Sequence, residues 1–495
     1  MHKITLNPSA EVPFHNITDS CIGTGRLGLG LMREYQEELE YVQDQIGYEY
    51  IRGHGLFCDD LGILQTVRRE DGTEEDRYCF TYLDRVMDAY VKLHLKPLLE
   101  LGFMPRAIAS GEQTVFYWKG NVTPPKDDKR WTALVCATLQ HLVSRYGDTV
   151  YEWPIEVWNE PNLTSFWKDA DLDAYLHLYE VTVRAIRGIS DRFQVGGPAV
   201  CGGNGIQEWL HRFFAFCTDR KLPLCFVTRH LYMGQQPERH GRYLYHTMCP
   251  VEQSMAELHE TRNIMQQYEI TRNLPLYVTE FNSSYNPFCP IHDTNENAAI
   301  MAGLLARIGD EADLASYWTF GDVFEEGGIP PRPFHGGFGL VAAGSIPKPT
   351  LYAFSFFAKL SGTCIWRDEH LVVCRNPDGS FQAAAFNHEE EPLDLELSLP
   401  WADAVVEYEG VDEDHCNPLK AWHDLGEPAV LDQEHVRLLK QCAQPQTRIF
   451  SVRETVCLTI PVNGIAGFRI APVTRESDEG YDYAWYCEKR QGKEL

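Results

Sequence analysis

The chain has 495 residues, 44% hydrophobic and 12% aromatic, with a formal net charge of −27. That apolar content fills a large core, and the length exceeds one ordinary domain. With no basic surplus to neutralise phosphates, nucleic acid and anionic membrane are disfavoured as partners, and a small neutral molecule fits more easily.

In chain order, short apolar segments read as buried strands near 20–25, 48–55, 96–105, 151–159, 194–200, 224–232, 275–281 and 315–320. Helical periodicity fills gaps between them at 82–94, 131–146, 172–189, 251–268 and 295–308. Strands that alternate with helices predict a parallel sheet, and eight such units predict an α/β fold of the (β/α)8 barrel type over 15–340. Beyond 341 the texture changes to alternating segments at 370–374, 381–386, 393–399, 447–452 and 456–460, which predict a β-sandwich domain over 341–495. Helical pattern near 415–443 interrupts it as a small insert, and the first 14 residues supply a strand that returns to the sandwich.

Two carboxylates end apolar strands. Ile155-Glu156-Val157-Trp158-Asn159-Glu160 closes the fourth candidate strand, and Leu276-Tyr277-Val278-Thr279-Glu280 the seventh. In a parallel barrel both open on the catalytic face, and two facing glutamates are what glycoside hydrolysis needs. The competing reading makes each a strand-end carboxylate in a salt bridge, which fits one of them better than the matched pair. Asn159 can bond a sugar 2-hydroxyl, Trp318 can stack on a pyranose or fill the barrel core, and Phe116-Tyr117-Trp118 suits a pocket rim. His54, His230 and His335 lie at or beyond strand ends, in register with the glutamates. Gly23-Thr24-Gly25-Arg26-Leu27-Gly28 imitates a dinucleotide fingerprint, but follows a polar segment rather than a buried strand. His259-Glu260 lacks the second histidine of a zinc helix.

The fifteen cysteines are odd in number and never at Cys-x-x-Cys spacing, so reduced thiols are expected. The sequence start lacks the apolar core of a signal peptide, and Asn-x-Ser/Thr acceptors at Asn162 and Asn282 flank the two glutamates; both predict a cytoplasmic protein.

Taken together, several segments resemble glycoside hydrolase family 39 of clan A, in its bacterial β-xylosidase branch. They are Arg52-Gly53-His54-Gly55-Leu56, Phe116 to Pro125, Trp158 to Asn162, Thr279 to Tyr285, Tyr317 to Phe320, Asp322 to Glu326 and Phe334 to Gly339, with a xylosidase-like insert after Asp414. The resemblance implies a retaining exo-glycosidase that releases xylose from β-xylosides and xylo-oligosaccharides, with Glu160 as acid/base and Glu280 as nucleophile. It also implies that Asn159 holds the 2-hydroxyl, that His230 and Tyr232 stand beside the nucleophile, and that Arg52, His54, Trp318 and Glu325 line the terminal-sugar subsite, with Phe116 at its rim. No metal or organic cofactor is implied, and a homotetramer is. Gly321, where related chains lead one to expect serine, and Phe281 depart from the pattern. The alternatives are a clan A enzyme of other glycon specificity (β-glucoside, arabinoside or α-L-iduronide), a non-catalytic sugar-binding protein, and a nucleotide-dependent oxidoreductase.

Overall fold

Eight parallel strands close into a barrel in chain order: Cys21–Arg26, Tyr50–His54, Lys96–Glu100, Ile155–Glu156, Val195–Val200, Val227–Tyr232, Leu276–Asn282 and Leu314–Tyr317. They coincide with the eight apolar segments of the sequence. This computed structural model describes residues 2–203, 205–473 and 480–481. The rest of the expected second domain, 474–479 and 482–495, lies outside the described residues. Closure between first and eighth strands requires Gly23, because a Cβ there would come within 2.6 Å of the Trp318 ring and 2.8 Å of the Tyr317 carbonyl oxygen. The glycine run therefore serves barrel packing.

Helices follow the strands, among them Asp128–Tyr146 and Leu172–Ile189. Both begin on aspartates, Asp127 and Asp171, whose side chains accept backbone N–H bonds from Lys129 and Ala174. Such a cap contributes about 1 kcal/mol. The eighth helix, Pro349–Ala358, is buried on every side from Pro349 to Phe357. It packs against the helix Asn295–Leu305 and touches the sheet of the second domain. A helix without a polar face must be covered all round, and this one is covered by a barrel helix on one side and the second domain's sheet on the other.

Among the described residues, the second domain is one seven-stranded sheet that curls over its own core. Its longest strand, Leu393–Val411, changes register between Ser398 and Asp403. The first part pairs in parallel with His2–Thr5, and the second pairs antiparallel with Ile465–Pro472. Two layers of a sandwich are thus made from one bent sheet. The insert helices, Pro418–Asp424 and Gln433–Cys442, pack Trp422 and Leu439 against Phe334, Ala342 and Ile346, in the segment after the eighth barrel strand.

That segment is also held from inside. Lys348, fully buried, places Nζ 2.6 Å from both Asp293 Oδ1 and Asp322 Oδ2. The other oxygens of the two aspartates accept backbone N–H bonds from Gly336 and Gly339 at 2.7 and 2.8 Å. Gly321 lies beside this cluster, and any Cβ there would overlap the buried Glu38 carboxylate, so the departure from serine makes room for a carboxyl group. Burial, and then the charges of Asp322 and Glu34, push Glu38 well above the usual carboxylate range. Replacing Lys348→Met strands two buried carboxylates, and the expected loss is about 3–5 kcal/mol of stability, read as a fall in the urea midpoint.

Candidate active site

Glu160 and Glu280 stand at the C-terminal ends of the fourth and seventh strands, both buried at the floor of a cavity of about 490 Å³. The backbone that delivers Glu160 is strained: Trp158 and Glu160 take positive φ values of 74° and 44°. Each such residue costs about 1–3 kcal/mol and must be held by its surroundings. Trp158 is fixed by its indole N–H, donating to the Phe166 carbonyl at 2.8 Å, and Glu160 N–H donates to the Ala199 carbonyl at 3.0 Å. Glu160 and Glu280, with His230 between them, present ligand atoms that all lie within 4.8 Å of one another.

The two glutamates have different partners. Arg52 Nη1 donates to Glu280 Oε1 at 2.7 Å, and the Tyr232 hydroxyl donates to Oε2 at 2.6 Å. Glu160 Oε1 lies 2.8 Å from His230 Nδ1. Burial, and then the neighbouring Arg52 guanidinium, push His230 well below its ordinary value, so its imidazole is neutral and offers Glu160 no charge. Burial first and the Glu280 carboxylate second push Glu160 well above the usual carboxylate range. One carboxyl group therefore holds its proton while the other receives two donors. The Cys201 thiol also contacts Glu160, and Asn162 fixes the Cys201 backbone through bonds of 2.9 and 3.0 Å.

Beneath the floor, Arg52 is a hub. Besides Glu280 it reaches Glu156 Oε2 at 2.7 Å, Asn159 Oδ1 at 2.8 Å and Glu100 Oε2 at 3.1 Å. The bond to Asn159 fixes its amide so that Nδ2, buried and without a partner among the described residues, can donate to a ligand. His54 is aimed in the same way: Nδ1 sits 2.5 Å from Glu100 Oε2, turning Nε2 toward Glu280 at 3.4 Å and Glu326 at 3.6 Å. Glu160, His230 and Glu280 could ligate a metal by spacing alone, but the Arg52 guanidinium opposes a second cation there.

His54, Phe116, Asn159, Tyr232 and Trp318 line the cavity with the two glutamates. Arg52 and His230 do not; both are fully buried and act on the carboxylates from below. His335 lies outside the lining, with Nδ1 donating to the Arg332 carbonyl. Glu325 is a correction: it turns away to bind Arg26, 2.6 Å from Nη2, while the next residue, Glu326, enters the cavity. The segment here is a turn rather than a strand, so the sequence carries no periodicity to say which of two adjacent glutamates points inward. Burial, then Glu280 and Glu160, push Glu326 well above the usual carboxylate range. Glu100 and Glu156 were also missed, although a carboxylate inside an apolar strand was a usable signal. Cys201 gave none.

The fold, and a pocket with two facing glutamates at barrel strand ends, define the class: a barrel glycoside hydrolase. The profile of Glycosyl hydrolases family 39 matches residues 2–456, and the chain belongs to that family. It is 45% identical over 465 residues to a β-xylosidase of Geobacillus stearothermophilus, covering 92% of each chain. A β-xylosidase of Caldicellulosiruptor saccharolyticus is 32% identical over 466 residues, with 89% of this chain and 91% of the relative covered. Among solved structures, a monomeric β-xylosidase from Caulobacter crescentus CB15 superposes with a TM-score of 0.87 at 29% identity, covering 96% of this chain and 100% of that one.

Two outcomes check this geometry. Glu326→Gln lowers kcat/KM by about tenfold or more, since a group facing the ligand is changed, whereas Glu325→Gln stays within about threefold. In Glu280→Gln the like charge beside Glu160 is gone, so the charged form of Glu160 is less disfavoured and its titration moves to lower pH. Carbon-13 NMR of the Glu160 carboxyl reads that shift, and an unmoved midpoint contradicts the coupling.

Proposed function

We propose that the protein is a retaining exo-glycosidase that releases xylose from the non-reducing end of β-xylosides and xylo-oligosaccharides, with Glu160 as acid/base and Glu280 as nucleophile. The observation that carries this reading is the close approach of two unlike glutamates, one carboxyl oxygen of each lying within 4.8 Å of the other. Retaining enzymes hold their carboxyl groups roughly 5–5.5 Å apart, whereas inverting enzymes leave room for water at about 6.5–9.5 Å.

The asymmetry of partners supports the roles. Glu160, protonated because it is buried beside Glu280, gives its proton to the leaving oxygen as Glu280 attacks the anomeric carbon. Once Glu280 is esterified its charge is gone, Glu160 ionises more easily, and it takes a proton from the incoming water. Arg52 and Tyr232 hold Glu280 in line for attack, and then accept it as a leaving carboxylate. Asn159 Nδ2 is positioned to donate to the sugar 2-hydroxyl, a contact that strengthens in the oxocarbenium-like transition state. His54, Trp318 and Glu326 would receive the rest of the terminal sugar. The choice of xylose rests on the curated relatives of Geobacillus and Caldicellulosiruptor, both named β-xylosidases.

The proposal extends to a cytoplasmic site of action. Asn121 and Asn282, both glycan-acceptor asparagines by sequence, are buried, which supports a compartment without N-glycosylation. It also extends to a homotetramer, as the resemblance implies; light scattering tests this, and the Caulobacter relative described as monomeric sets the contrary outcome.

Proton NMR during hydrolysis of an aryl β-xyloside tests the function. The account expects β-xylose as the first anomer, with α appearing only by mutarotation. Initial α-xylose, or faster turnover of an aryl α-L-iduronide than of the xyloside, overturns it.

A further inference from the structure

We propose that Asn162 and Cys201 act together as positioning residues for Glu160. The Asn162 amide clamps the loop after the fifth strand, and the Cys201 thiol, so placed, donates to the Glu160 carboxyl group and helps it turn from acid to base between the two steps. The proposal rests on the roles given above to Glu160 and Glu280. It starts from the ladder between the fourth and fifth strands. Past the paired residues Ile155 and Glu156, Val157 N–H donates to the Gly196 carbonyl at 3.2 Å and Glu160 N–H to the Ala199 carbonyl at 3.0 Å. Pro161 has no N–H with which to continue. Asn162 extends the ladder with its side chain instead: Nδ2 donates to the Cys201 carbonyl at 2.9 Å, and Oδ1 accepts the Cys201 N–H at 3.0 Å.

The clamp sits where the backbone needs holding. Ala199, like Glu160, takes a positive φ, here 55°, so two strained residues face each other across the ladder. Only a side-chain amide offers a donor and an acceptor in one plane; an ionised aspartate lacks the donor, and alanine lacks both. The result is that Cys201, half-buried, lines the cavity beside Glu160.

The thiol has a direction. Its removal from water, and then the Glu160 carboxylate, push it well above its ordinary value, so Cys201 keeps its proton and acts as a donor. A donor favours the ionised form of Glu160, against burial and Glu280, which favour the protonated form. The other titratable groups around Glu160 are Arg52, Glu100, His230, Tyr232 and Glu326. Of these, Arg52 directs its N–H groups to Glu280, Glu156 and Asn159, His230 is neutral, and the Tyr232 hydroxyl donates to Glu280. Once Glu280 is esterified and its charge is gone, the thiol supports Glu160 as a carboxylate while it activates water.

The test follows two midpoints: the alkaline limb of kcat/KM on xylobiose, whose leaving group needs a proton, and the carbon-13 titration of the Glu160 carboxyl group. In Cys201→Ala the donor is lost, the protonated form of Glu160 gains, and both midpoints move to higher pH by about half a pH unit. Cys201→Ser keeps a donor and returns them to the wild-type position or below. Asn162→Ala moves them in the same direction as Cys201→Ala, and combining the two changes moves them no further than Cys201→Ala alone. Lower thermal stability or lower kcat in Cys201→Ala with both midpoints unmoved overturns the proposal and leaves the roles of the glutamates standing. Additive shifts in the double variant overturn the joint action of the two residues. A Glu160 midpoint that moves while the activity limb stays put overturns Glu160 as the acid and leaves the thiol contact standing.

Discussion

Arg52 is the interaction on which the site depends. A guanidinium fully removed from water touches Glu280, Glu156, Glu100 and Asn159 at once, from three different barrel strands or the loops that leave them. Burying such a charge alone would be prohibitive, and its pKa is raised because the neighbouring carboxylates outweigh desolvation. The same contacts hold Glu280 in line, orient the Asn159 amide toward the ligand, and through Glu100 fix the ring of His54. Lysine could not replace it, since a point charge cannot make divergent bonds to three acceptors in one plane.

Around that cation the acidic groups outnumber the basic ones, and this imbalance is functional. Glu156, Glu160 and Glu326 are all pushed upward, with burial as the leading cause in each case. A barrel floor that stored five carboxyl groups only for stability would be a poor solution, because apolar side chains of similar size pack without a desolvation penalty. The arrangement makes sense as a device that keeps one glutamate protonated beside another that attacks, and it accepts strained backbone at Trp158 and Glu160 to do so.

Much of this was legible in the sequence. The barrel strands were readable because each is a short apolar run bounded by polar segments, and Glu160 and Glu280 because a carboxylate at the end of such a run has few structural reasons to be there. What stayed hidden depends on geometry that no local pattern encodes. The Glu325–Glu326 choice turns on one loop residue, settled by Arg26 drawing the first glutamate outward. That Arg52 and His230 work from beneath the floor follows from their strands' inward faces, not from their place in a motif. The helix Pro349–Ala358 was not readable because its uniform apolarity has no amphipathic period. The second domain's single curled sheet arises from a register change in one strand, between Ser398 and Asp403, that alternation alone cannot reveal.

The central claim is that Glu160 and Glu280 perform different steps from opposite faces of the sugar. Azide rescue tests it most directly. With an activated nitrophenyl β-xyloside, Glu160→Ala should still form the glycosyl-enzyme and then stall, and azide, which needs no general base, should enter the vacated space and release β-xylosyl azide with faster turnover. An α-azide from this variant, or wild-type-like hydrolysis without azide, would contradict the account.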